Sequence, residues 1–232
     1  VNRRAISLLA IASVFFLLLP WLANNYLLSV ATLFLFFAYT GQAWNILMGF
    51  AGQLSLGHSL YLGVGAYTAA AFYHHFGVGP WATIWLSIAS CLLFATVIGG
   101  LAFRSGSAGV YFTLLTIAFA EFTRIGFDHF NWVGGSGGLF LKVVQREQID
   151  LLNLRGRPAM FYYLMLALTA AAFALCRWLL HSRAGYYWQA IRENQEAAQA
   201  LGINIYRWKM LAITLSAAMM APTMNSVCVG GT

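Results

Sequence analysis

Glu121, Arg124 and Asp128 are spaced i, i+3 and i+7 inside an otherwise apolar run, so a helix there would carry all three on one face. Charges within an apolar helix are costly and either pair with each other or face a polar cavity. The spacing allows a direct Glu121–Arg124 ion pair, with Asp128 near the outer edge of the run and open to solvation. A second polar group, Asn45, Gln53, Ser55 and His58, is threaded among Gly49, Gly52 and Gly57. In membrane segments glycines serve helix packing, as expected for Gly63, Gly65, Ala66 and Ala69. Polar side chains in an interrupted apolar segment are also how irregular backbone is placed along a water-filled path. Pathway or gating residues on this reading are Asn45, Gly52, Gln53, Ser55, Gly57, His58, Glu121 and Arg124, with His58 hydrogen-bonded and not a metal ligand.

Covalent and metal chemistry find little support. Cys91, Cys176 and Cys228 stand apart in apolar surroundings, without a C-x-x-C or zinc-type spacing. No nucleophile with its base and no close carboxylate pair suggests a membrane enzyme. A haem carrier needs axial ligands at matching depths, and His74 and His75 at an outer edge leave His58 without a mate. The glycine-rich stretch with Gly134, Gly135 and Ser136 lacks the G-K-[ST] ending of a phosphate loop and reads as an outer gate or a docking edge.

The elements that hold these residues are membrane helices. Hydrophobic residues make up 61% of the 232 and charged ones 8%, and several runs approach the roughly 20 apolar residues a span needs. The formal charge of +7 is scattered, which argues against nucleic acid and for contact with membrane lipid. Spans are expected at Ala5 to Leu22, Tyr26 to Met48, the end of the glycine-rich stretch to Tyr73, Trp81 to Phe103, Gly109 to Phe130, Phe161 to Leu180, and from Met210 onward. The first lacks a small-x-small cleavage site and reads as an uncleaved helix. An inside N-terminus gathers Arg3, Arg4, Arg104, Arg183, Arg192, Arg207 and Lys209 on one side. Asn24-Asn25, His74 to Pro80 and the loop 131–158 then lie outside. The expected architecture is an all-α polytopic bundle, a single transmembrane domain over 1–232.

Arg183 to Lys209 is written like a surface helix. Winding Ala184 to Leu201 as one helix places Tyr187, Trp188, Ile191, Ala198 and Leu201 on one face. Arg192, Glu193, Glu196 and Gln199 fall on the other, and Gly202 marks a left-handed stop. An interfacial helix lying in lipid headgroups is one reading. Glu196-Ala197-Ala198-Gln199-Ala200-Leu201-Gly202 resembles the E-A-A-x-x-x-G coupling loop of ABC importer permeases, which gives another.

Four ordered motifs extend that resemblance: Asn45 to Tyr67, Thr113 to Arg124, Gly134 to Leu139, and Ala190 to Asn204. Together they are similar to the membrane subunits of branched-chain amino acid ABC importers, the LivM-like permeases. Val133 stands where the loop motif has threonine, and the tail from Pro222 departs from the family's continuation, so a truncated C-terminal part is expected. The resemblance implies a multi-pass permease of a bacterial inner membrane that moves amino acids without chemistry of its own. ATP and Mg would sit on a partner ABC ATPase touching Arg192, Glu193, Glu196, Ala197, Ala198 and Gly202. A LivH-like second permease and a periplasmic solute-binding protein complete the implied partners. Urea, amide or sugar permeases and a passive channel are the alternatives.

Overall fold

The computed structural model describes residues 16–21, 24–104, 109–135 and 158–230. Helices account for nearly all of them. The first, α1 (Asn25–Asn45), continues into a wide π-type turn over Ile46–Phe50. Then follow α2 (Ser59–Phe76), α3 (Pro80–Arg104), α4 (Val110–His129) and α5 (Pro158–Leu180). Two short helices, α6 (Arg183–Glu193) and α7 (Gln195–Ala200), precede α8 (Ile205–Gly230).

Asn25–Phe50, Trp81–Arg104, Val110–His129 and Ala159–Leu180 are long and apolar enough to cross a membrane. This is a multi-pass, all-α membrane protein. Some expected bounds move: α2 runs to Phe76, α5 starts at Pro158, and α8 starts at Ile205 because Asn204 Oδ1 accepts from the Arg207 amide and caps it. Most of the expected first span lies outside the described residues; its end, 16–21, is helical.

Backbone polar groups are satisfied within each helix, and small residues and hydroxyls join the helices. The most extensive packing is α3 on α8, where a Cβ on Gly99 would lie 2.7 Å from Met210 Sδ. Gly65 packs on the backbone of Ala221, whereas Gly63 faces open space, so only the first matches the expected close-packing role. Ser87 Oγ donates to Gly65 O at 2.9 Å, Tyr39 Oη to Met219 O at 2.7 Å, and Thr169 Oγ1 to Leu35 O at 3.2 Å. The shared core runs through Ile46, Leu47, Val64, Cys91, Ile98, Phe112, Trp188 and Ile213. Cys91 and Cys176 are free and buried.

The ends of the bundle sort as the alternating topology requires. At one end the His75 ring stacks on Trp132, centroids 4.9 Å apart, and its Nε2 lies 2.8 Å from Trp132 O. The α2–α3 turn and the start of the long loop therefore share a side. Gly134 and Gly135 there have φ of 92° and 53°, a conformation glycine adopts at low cost; Ser136 lies outside the described residues. At the opposite end Arg104, Gln195, Gln199 and Lys209 line a groove of about 430 Å³.

Candidate functional site

The amphipathic stretch folds as two helices, contrary to the single helix expected over Ala184 to Leu201. Asn194 breaks it, with φ −154° and ψ 108°. Its side chain accepts a hydrogen bond from the Ala197 amide at 3.0 Å, the geometry that makes asparagine a favoured N-cap. The signal was present in the sequence: Asn194 followed two residues later by Glu196, an acid in the first turn. Trp188, Ile191 and Ala198 are buried as expected. Leu201, expected beside them, is 81% exposed, because the break resets the helical phase before α7. Gly202 does take the left-handed conformation, with φ 84°.

Arg192, Glu193, Glu196, Ala197 and Gln199 are exposed, leaving a row of polar side chains beside small alanines. Ala198 points the other way and packs beneath the helix. Behind this surface, Trp188 Nε1 donates to Trp208 O at 2.8 Å and Lys209 Nζ to Gln195 Oε1 at 2.8 Å. Both tie the amphipathic pair to the first turns of α8, and sequence reading had singled out neither contact.

The glycine-rich break sits directly against this pair. Arg192 Nη1 donates to Gly49 O at 2.6 Å, and its Nη2 reaches Glu193 Oε1 at 3.1 Å. Gly52 has φ 66°, and a Cβ there would lie 2.6 Å from Arg192 Cγ. Asn45 folds its side chain over Gly49, so that a Cβ there would fall 2.0 Å from Asn45 Oδ1. Two features that look independent in sequence form one contact surface.

From Gly52 the chain runs without regular structure to His58, in front of the N-terminal half of α4. Thr113 Oγ1 donates to Leu54 O at 2.9 Å, and the Gly57 amide lies 3.4 Å from Thr116 Oγ1. A Cβ on Gly57 would come within 1.9 Å of Thr116 O, so glycine is required by close backbone approach. Ser55 is buried, and its carbonyl accepts from Trp44 Nε1 at 2.8 Å. His58 Nε2 lies 2.8 Å from Ser216 Oγ, which in turn donates to Ala43 O. The histidine thus joins α1, α2 and α8 through hydrogen bonds. Among the described residues, Gln53 Oε1 and His58 Nδ1 are buried without a hydrogen-bond partner.

The charged trio lies on a different surface. Arg124 bridges Glu121 at 2.6 Å and Asp128 at 3.0 Å. Asp128, expected near the outer edge and open to solvation, is partly exposed and also pairs with Arg124, because i, i+4 spacing brings it within reach of the guanidinium. The structure does not bring this trio to the break; it occupies the outward side of α4.

Residues 9–221 match the family described as "Branched-chain amino acid transport system / permease component". The chain belongs to this family. Among permeases like it, the High-affinity branched-chain amino acid transport system permease protein LivM of Escherichia coli strain K12 is 27% identical over 221 residues. LivM of Salmonella typhimurium strain LT2 is 26% identical over 226 residues. Each alignment covers 86% of this chain and 51% of the relative, so the chain spans about half the length of these permeases. No solved structure matches.

Proposed function

We propose that this chain is a transmembrane subunit of an ATP-driven importer that moves branched-chain or related amino acids across a bacterial inner membrane. Membership of the permease family and the names of its relatives support the class of cargo. The contact of Arg192 with Gly49 and Gly52 carries the mechanical part of the reading. A partner ATPase binds the exposed residues Arg192, Glu193, Glu196 and Ala197 on the cytoplasmic side, with Ala198 packing the helix beneath them and Gly202 ending it. Movement of that surface is passed by Arg192 to the π-type turn and to the irregular segment Gly52–His58. Asn45, Gln53, Ser55, Gly57 and His58 then form a gate whose backbone changes between inward-open and outward-open states. A second permease completes the path, and a solute-binding protein delivers cargo to the outer side near Gly134 and Gly135. ATP and Mg belong to the ATPase, and the N-terminus is cytoplasmic.

The test is co-purification with the ATPase and binding protein, followed by reconstitution and measurement of uptake with and without ATP. ATP-dependent uptake is expected, and Arg192→Ala is expected to leave hydrolysis running while uptake falls. Uptake that ignores ATP, or a purified chain that binds no ATPase, would overturn the proposal.

A further inference from the structure

We infer that the groove between the end of α3 and the start of α8 binds an anionic membrane phospholipid, its phosphate held between Arg104 and Lys209. The inference needs the membrane span and not the importer reading. The groove has a volume of about 430 Å³ and lies at the end of the bundle opposite the His75–Trp132 contact. Lys209 is only 2% exposed, and an ammonium taken out of water requires a compensating charge. What it meets is neutral. Its Nζ donates to Gln195 Oε1 at 2.8 Å and lies 5.7 Å from the centre of the Phe103 ring, although an ammonium carries three donors. Arg104, exposed at the last turn of α3, lines the same groove. Among the described residues the ion pairs belong to Arg124 and Arg192, so no carboxylate there lies within pairing distance of Lys209 or Arg104.

The amides of the groove are biased the same way. The oxygen of Gln195 is engaged by Lys209 and that of Asn204 by the Arg207 amide, so the NH2 group of each is the part left to bind a ligand, and it can only donate. Cations and amide donors with no acid among the lining residues suit a phosphate. Its source follows from the location. The span Trp81–Arg104 ends at this arginine, so the groove sits where hydrocarbon gives way to headgroups, a boundary at which basic pockets hold anionic lipid. At about 100° per residue, Leu93, Val97, Leu101 and Arg104 fall within about 80° of one another around α3, and all four are exposed. Ala95, Ile98 and Ala102 are buried on the other side, where Gly99 packs on Met210 and Ile213 of α8. An acyl chain lying along the apolar row brings its headgroup to Arg104, whereas a soluble phosphate makes no use of that row. Depth argues against an acidic loop of another protein. Lys209 is buried behind the exposed row of Arg192, Glu193, Glu196 and Ala197, within reach of a small headgroup and not of a folded surface.

The test is native mass spectrometry of the full chain, purified in mild detergent with the subunits that accompany it. Titration with phosphatidylglycerol is expected to fill one tight site per chain, at concentrations several-fold below those that phosphatidylcholine needs. Arg104→Gln is expected to weaken that site about five-fold, the weight of one basic residue at an anionic surface. Adding Lys209→Met, which keeps an unbranched chain over Phe103, is expected to abolish the preference. Arg183→Gln removes a charge outside the groove and is expected to leave the titration unchanged. Arg104 and Arg183 are both exposed, so neither single variant disturbs the core. Equal affinity for the two lipids, or an equal loss in Arg183→Gln and Arg104→Gln, would overturn the site. Displacement of the lipid by inorganic phosphate at matching concentration would assign the groove to a soluble anion and overturn it as well. Uptake of phosphatidylglycerol only after the accompanying subunits are stripped away would give the groove to a protein partner, again against the inference.

Discussion

The contact between Gly52 and Arg192 can be tested by adding one methyl group. Gly52→Ala meets two obstacles. Its φ of 66° is left-handed, which costs a residue with a Cβ about 1–2 kcal/mol. The new Cβ would also lie 2.6 Å from Arg192 Cγ and 3.1 Å from its Cβ, and such overpacking costs about 1–3 kcal/mol. The single substitution should therefore destabilise the fold by about 2–5 kcal/mol, the sum of the two costs. Arg192→Ala removes Cγ and the bond to Gly49 O, and a hydrogen bond to a charged group is worth about 1.5–3 kcal/mol, less at this half-exposed site. Once Cγ is gone, Gly52→Ala should cost mainly its backbone term. The double substitution is then less harmful than the sum of the singles, with a coupling of about 1–2 kcal/mol. Reversible unfolding in mixed micelles, followed by tryptophan fluorescence, measures all four proteins. Strict additivity would refute the contact and with it the proposed link between the amphipathic pair and the break.

Three further outcomes follow from the same geometry. Asn194→Ala should remove the cap of α7 at a cost of about 1 kcal/mol, raising amide exchange at Ala197 and Ala198 about five-fold in hydrogen-exchange mass spectrometry, while Asn194→Ser retains most protection. Gly57→Ala places a methyl group against the Thr116 carbonyl, a collision between backbones that cannot be relieved by a rotamer. It should sharply reduce monodisperse protein in size-exclusion chromatography, whereas Gly77→Ala, with φ 61° but open space, should lose only about 1–2 kcal/mol. Ser216→Ala strips His58 Nε2 of its partner and should cost about 1–3 kcal/mol as a buried polar group left unsatisfied. Adding His58→Phe to that variant should recover part of the loss, since both polar partners are then gone; a further full loss in the same unfolding assay would contradict the network.

Much of the bundle was legible because lipid imposes one secondary structure on long apolar runs. Runs such as Trp81 to Phe103 and Phe161 to Leu180 agree with α3 and α5 to within three residues or so, and Gly202 marks a stop that only its lack of a Cβ explains. The amphipathic segment was read correctly as exposed but not as broken, because a periodicity search follows side-chain polarity and Asn194 looks like any polar surface residue. Its capping role is written in the residues after it. The seating of Arg192 on Gly49 joins positions 143 residues apart, and periodicity carries no information about such pairs. Likewise Thr113 and Thr116 look like ordinary helix residues until Leu54 and Gly57 arrive beside them. The pairing of Glu121 with Arg124 followed from spacing; its outward placement depends on which face α4 uses against α2, a tertiary fact.

The turn joining α5 to α6 governs how motion can spread from the amphipathic pair. Gly185 fits so tightly over the carbonyls of Leu179 and Leu180 that a Cβ would lie 2.4 Å from either oxygen, and Ser182 Oγ fastens to Leu179 O at 2.6 Å. That corner has no slack. A displacement arriving at α7 can be absorbed at the extended Asn194 joint or passed on through α6, and whatever passes must tilt α5 along with it. Stiffness at one corner and compliance at the other would turn a small push into rotation of a whole span.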